Sequence, residues 1–366
     1  MQKQKKISLE NLDNLKNFWK NKKVFITGHT GFKGSWLSII LAYLESTIDG
    51  YSLKPEKKSL FNKSNIFKSL RSNTYADINN IIKLKKKIKQ SKPEIIFHLA
   101  AQPLVLESYK EPLNTFNTNI IGTLNLLEVI RRVKSVKSVV IITTDKVYKI
   151  KKKNIHYKEL DQLGGLDPYS ASKVGAEIVV DSYIKSFFKN SILQNRVSTV
   201  RAGNVIGGGD FAKNRLLPDI ISTINNRKKL IIRNPDNIRP WQHVLDPLMG
   251  YLNLAEKQYK NKINITEHSW NFGPSKSNFK KVIDVVKYIK KKEEFNYSLT
   301  KSNKFKETNI LKLNSLKAEK KLKWTSRWNL TEALNKTIEW NNLIKNGASE
   351  RIICEKQFLI YIRNKK

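Results

Sequence analysis

The chain has 366 residues and an apolar fraction of 40%, enough for a large core and about two domains. No run approaches the ~18 apolar residues of a membrane span, the N-terminus lacks the apolar core of an export signal, and the single cysteine, Cys354, excludes an internal disulfide or a cysteine-cluster metal site. The formal charge of +38 is of the kind nucleic-acid binders carry. Its lysines, however, are spread along the chain, as in Lys83–Lys89, Lys149–Lys153 and Lys287–Lys292, and several share helical periods with apolar residues such as Leu84 and Ile88. Solvated helix faces account for them without a nucleic-acid partner, and the excess charge suits anionic small molecules. The five histidines show no ligand spacing, so a cytoplasmic protein without a metal is expected.

Leu12, Leu15, Phe18 and Trp19 recur at helical spacing and predict a short packed helix over 8–20. Val24-Phe25-Ile26 reads as a strand, followed by T-G-H-T-G-F-K-G, whose Gly28, Gly31 and Gly34 keep a G-x-x-G-x-x-G spacing. Trp36, Leu37, Ile40, Leu41 and Leu44 then form the buried stripe of a helix. Strand, glycine turn and helix together are what a dinucleotide site requires: a tight turn, close backbone approach and a helix N-terminus facing a pyrophosphate. The next strand, 47–51, ends at Ser52, where an acid would hold the ribose hydroxyls of NAD; Asp49 is mid-strand, which leaves NADP open here. A third strand over 74–77 ends at Asp77, which either faces an adenine or caps a helix.

Residues 94–102 predict a strand ending in Ala100, Ala101 and Gln102, small enough at Ala100 and Ala101 for a flat cofactor to lie against the backbone. His98 reads as a core histidine. A long helix over 116–130 contains Asn119 and Gly122. Val139–Ile142 is an apolar run typical of a buried parallel strand, and Thr143, Thr144, Asp145 and Lys146 stand at its carboxyl end, where open α/β sheets bind ligands. Tyr169 and Lys173, four apart, share a helix face. An ammonium beside a phenol favours the phenolate, which would make Tyr169 a general base. After a strand at 197–201 and the glycines Gly207, Gly208 and Gly209, the texture turns to prolines and arginines, including Arg215, Arg233 and Arg239. His243 is expected to pack in a seam. The pattern predicts an α/β fold: a doubly wound parallel Rossmann-type sheet over 22–203, a smaller α/β substrate-binding domain mainly in 204–345 with segments returning to the first, and a tail over 346–366.

The linked motifs T-G-H-T-G-F-K-G, H-L-A-A-Q, N-T-N-I-I-G-T, T-T-D-K-V-Y, Y-S-A-S-K, R-A-G-N-V-I-G and W-N-F-G-P resemble the extended short-chain dehydrogenase/reductase family over residues 22–345. G-H-T-G-F-K-G-S-W, G-G-L-D-P-Y-S-A-S-K, N-V-I-G-G-G-D and I-R-P-W-Q-H-V-L-D-P are most similar to its sugar-nucleotide 4,6-dehydratase branch acting on CDP-glucose. The resemblance implies NAD, held by Gly28, Thr30, Gly31, Phe32, Gly34, Asp77, Ile78, Ala100, Ala101, Gln102, Asn119, Thr143, Tyr169 and Lys173. It implies catalysis by Thr144, Asp145, Lys146, Tyr169 and Lys173, and a substrate diphosphate held by Asn204, Arg215 and Arg239. Relatives acting on dTDP-glucose have Asp-Glu where this chain has Asp145-Lys146; the CDP-glucose branch resembles it in having the lysine. A homodimer formed through helices near 105–130 and 170–189, with no membrane or nucleic-acid partner, is also what the resemblance implies.

Overall fold

The computed structural model describes residues 12–151, 155–227, 229–263, 268–300 and 311–363. Seven strands form one sheet: β1 (Lys23–Thr27), β2 (Thr47–Ser52), β3 (Ser72–Tyr75), β4 (Ile95–His98), β5 (Ser138–Ile142), β6 (Val197–Ala202) and a late strand, β10 (Ser269–Phe272). Their order is β10-β6-β5-β4-β1-β2-β3, and every neighbouring pair is parallel. β4, β5 and β6 are buried along their whole length, so helices must cover both faces. Phe32–Tyr43, Leu245–Tyr259 and Glu350–Arg363 share one hydrophobic cluster, while Ile81–Ser91, Gly122–Ile130 and Pro168–Tyr183 share another. The doubly wound α/β fold expected from the strand-helix alternation is present. The strand order reverses between β1 and β4, and the cleft opens over their carboxyl ends.

A smaller body carries β7 (Asn204–Ile206), β8 (Lys229–Arg233), β9 (Ile238–His243), β11 (Phe279–Lys281) and β12 (Asn296–Thr300). β11-β9-β7 form one sheet and β12-β8 another. The helices Leu216–Asn226, Val282–Lys290 and Leu330–Lys345 cover them around a core containing Ile220, Trp241, Val286 and Leu334.

Three local expectations shift. Residues 12–19 are helical, Lys20 begins a turn, and residues 8–11 of the predicted helix lie outside the described residues. The third strand stops at Tyr75 rather than 77, because the Asp77 carboxylate accepts the Asn79 amide at 2.8 Å and turns the chain. The stretch after 345 is more than a tail. Glu350–Arg363 is a helix whose Cys354, Phe358 and Tyr361 are buried in the main core, where the Tyr361 hydroxyl donates to Asp246 at 2.7 Å.

Candidate active site

The cleft is a cavity of about 870 Å³ between the sheet's carboxyl edge and the smaller body. Two glycines shape its floor. Gly28 has φ +73°, and a Cβ there would lie 2.6 Å from the Ala100 nitrogen; a Cβ on Gly34 would lie 2.2 Å from the Gly28 carbonyl. Only glycine allows β1, β4 and the helix Phe32–Tyr43 to converge this closely. The resulting concavity at a helix N-terminus fits a dinucleotide's pyrophosphate. Thr30, Gly31, Phe32, Ile78, Ala100, Ala101 and Gln102 line it as well. At the β2 end the Ser52 hydroxyl is 2.8 Å from that of Thr30. Asp49 turns away to pair with Arg71 and to accept from Ser72 at 2.6 Å.

Asn119 stands behind the wall rather than in it. It is fully buried, its amide donating to the Gln102 carbonyl at 3.1 Å and to Ser172 at 2.8 Å, while its oxygen accepts the Gln102 amide at 2.9 Å. The predicted helix over 116–130 opens into a π-turn at Asn117–Ile121, as helices often do at functional sites, and Asn119 lies within it. These bonds tie the strand-end residue Gln102 to the helix that carries Tyr169. The Thr143 hydroxyl is likewise committed elsewhere, donating to Glu177 at 2.6 Å. Gly122 serves a packing need, since a Cβ there would meet Ile78 at 2.6 Å.

The chemical end of the cleft is lined by Thr144, Asp145, Lys146, Tyr169, Lys173, Asn204, Arg215 and Arg239. Asp145 opens a short 3₁₀ turn, Asp145–Val147, capped by the Thr144 hydroxyl, which also lies 3.1 Å from the Asp145 carboxylate. Burial raises the Asp145 pKa above the usual carboxylate range, against the opposing pull of Lys146, Thr144, Arg239 and Lys33. A carboxyl held this way is suited to carry and deliver a proton. Tyr169 and Lys173 sit in the helix Pro168–Tyr183, started by Asp167 accepting the Ser170 amide at 2.8 Å.

The expected depression of the Tyr169 pKa by Lys173 is absent from this state. Burial pushes Tyr169 up to about 12, with Thr144 and Arg215 pulling the other way. Lys173 instead donates to the Ile142 carbonyl at 3.1 Å, and burial lowers its pKa to about 7. Arg215 pairs with Asp210 at 3.0 Å. His98 lies 2.7 Å from Thr27 and 3.2 Å from Thr123, and burial lowers its pKa to about 3; it is a core residue. His243 packs against Trp36 and Trp328, at 5.8 and 4.6 Å between rings.

Two features escaped the sequence reading. Glu177, one turn beyond Lys173, and Arg201 on β6 form a buried bidentate pair beneath the strand end. Lys33, inside the glycine motif, also lines the cleft. The spacing of the glycines drew attention past its side chain. Among the described residues no group of three or more His, Cys, Asp or Glu could hold a metal ion, and no helix is long and apolar enough to cross a membrane.

The sequence matches the family model described as GDP-mannose 4,6 dehydratase over residues 25–337. It is 43% identical over 348 residues to the CDP-glucose 4,6-dehydratase of Salmonella typhimurium, covering 93% of this chain and 96% of that protein. The dTDP-glucose 4,6-dehydratase of Bacillus anthracis, solved in complex with NAD, superposes with a TM-score of 0.73 at 22% identity, covering 88% of this chain and 97% of that one. The UDP-glucuronic acid 4-epimerase of Bacillus cereus, solved with UDP-glucuronic acid and NAD, gives 0.74 at 22% identity over 88% and 99%.

Proposed function

The chain belongs to the GDP-mannose 4,6 dehydratase family, and we propose that it removes water from CDP-glucose, with NAD as cofactor and CDP-4-dehydro-6-deoxyglucose as product. Near full-length identity to the Salmonella enzyme supports the nucleotide. The observation that carries the chemistry is the convergence of Asp145, Lys146, Tyr169 and Lys173 on one end of one cleft.

When bound, NAD would supply a hydride acceptor for sugar C4, the hydride returned to C6, and a cationic ring that favours a nearby phenolate. The chain's own groups handle the protons. Tyr169, with Thr144 beside it, takes the C4 hydroxyl proton. The resulting C4 ketone acidifies the proton on C5, which Lys146 in its neutral form removes and gives back to C5 when the hydride reaches C6. Asp145, whose pKa burial raises, delivers a proton to the C6 hydroxyl as it leaves as water. Lys173 holds the ribose on the cofactor side, and the glycine floor with Ala100 and Ala101 seats the dinucleotide. Asn204, Arg215 and Arg239 hold the substrate diphosphate, for which an arginine fork offers two parallel donors.

Incubation with CDP-, dTDP-, UDP- and GDP-hexoses, followed by mass measurement, tests the reading. Loss of one water from CDP-glucose is expected, and no loss from any of the four would overturn it. A cytoplasmic location goes with this chemistry, since its nucleotide sugars are cytoplasmic metabolites. We also propose a homodimer. Leu113, Ile121 and Ile178 are exposed at 75%, 41% and 60% on the packed helical segments 112–130 and 168–183. Light scattering should give twice the chain mass for the parent and one chain mass for Ile178→Glu.

A further inference from the structure

Lys33 is the second residue of the helix Phe32–Tyr43, and its side chain enters the cleft lined by Asp145, Asp210, Arg215 and Lys173. Its charge interacts with Arg215, Asp145 and Asp210, and it acts in turn on Lys173. Two of those neighbours repel it. Neither carboxylate pairs with it: Asp210 is held by Arg215 at 3.0 Å, and Asp145 has a hydrogen bond only from the Thr144 hydroxyl, at 3.1 Å, among the described residues. Among the described residues the Lys33 ammonium makes no hydrogen bond and no ion pair. Three other cations nearby have partners: Arg201 has Glu177, Arg215 has Asp210 and Lys173 has the Ile142 carbonyl.

A half-buried ammonium facing a guanidinium and a second ammonium is left with uncompensated like charge in the empty protein. Burial and Arg215 hold its pKa down at about 8. A doubly charged anion entering the cleft would reverse that cost, and a lysine serves phosphate as a movable point charge. We propose that Lys33 is a diphosphate ligand: its ammonium binds the diphosphate of a nucleotide that fills the cleft, alongside the backbone of the glycine turn and Arg215. The proposal rests on the sugar-nucleotide reading only for the source of that diphosphate. The helix start on which Lys33 sits faces the cofactor's, and its neighbours Arg215 and Asp145 face the substrate's.

Calorimetric titration of the full chain with CDP and, separately, with NAD separates the sources. Lys33→Met should weaken one of the two by roughly 10-fold or more, and Lys33→Arg should restore it to within a few-fold. A loss confined to CDP assigns the substrate diphosphate, and a loss confined to NAD assigns the cofactor's. Unchanged affinity for both overturns the proposal. Without ligand, Lys33→Met should melt no lower than the parent, because it removes an uncompensated charge; Lys33→Gln supplies the same titrations if the methionine disturbs folding. Failure of the parent to bind CDP while it binds NAD would count against the sugar-nucleotide reading, and the NAD arm would still decide the role of Lys33.

Discussion

Asp145 and Glu177 are both buried carboxylates near the end of β5, yet they do opposite things. Glu177 accepts from Thr143 and Thr199 at 2.6 Å and from two nitrogens of Arg201 at 2.9 Å. Burial works to raise its pKa, but Arg201 and the two threonines hold it down at about 2. Among the described residues Asp145 has one side-chain hydrogen bond, to Thr144, and burial leaves its pKa raised. The difference teaches how to sort buried charge. A carboxylate whose acceptor positions are filled by its own protein ties helix to strand, whereas one left short of partners at a cleft wall is available to a substrate.

The widest separation of the two regions should come from Tyr169→Phe. It removes the base on the chemical side and should lower turnover by roughly 10³-fold while leaving NAD affinity within a few-fold; unchanged turnover would move the base elsewhere. Arg201→Met attacks the structural side by stranding Glu177, and should cost about 3–5 kcal/mol in urea unfolding. Stability within 1 kcal/mol of the parent, by the ~1.4 kcal/mol per tenfold scale, would mean the pair is not the tie described here.

The pH dependence sharpens the contrast. The folded pKa of Glu177, about 2, lies below its ordinary value of 4.5, so its contribution is complete above about pH 4.5 and is lost as pH falls toward 2. Glu177→Gln should therefore lower stability at neutral pH by on the order of 3 kcal/mol and flatten the acid limb of the stability profile. Asp145 has the opposite sign. Its raised pKa favours folding below the ordinary carboxylate value, and that support fades as pH climbs from there through the raised value. Asp145→Asn should leave neutral-pH stability unchanged or higher. On the structural side the smallest loss expected is that of Thr143→Val, about 1 kcal/mol, since it removes one of the several donors to Glu177.

The glycine turn, the strand-end Thr144-Asp145-Lys146 and the Tyr169-Lys173 pair were legible because each depends on local spacing, and the parallel order follows from strands alternating with helices. What stayed hidden depends on long-range partners. Nothing near Glu177 in the chain announces Arg201, which reaches it only through the pairing of β5 with β6. The strength of burial at Tyr169 depends on the whole wall, so a four-residue spacing overstated the reach of Lys173. Asn119 was implied as a cofactor contact by the family resemblance alone, and its bonds to Gln102 and Ser172 from within a π-turn are not written in its neighbours. Lys33 was concealed by composition: one lysine among the 69 basic residues of the chain carries no signal until its neighbours are known.

Asp145→Asn, mixed with CDP-glucose and NAD and followed by the near-ultraviolet absorbance of reduced nicotinamide, bears most directly on the account. Oxidation at C4 should proceed and the reduced cofactor accumulate, while no 6-deoxy product forms. Product at the parent rate, with no build-up of reduced cofactor, would show that some other group delivers the proton to C6.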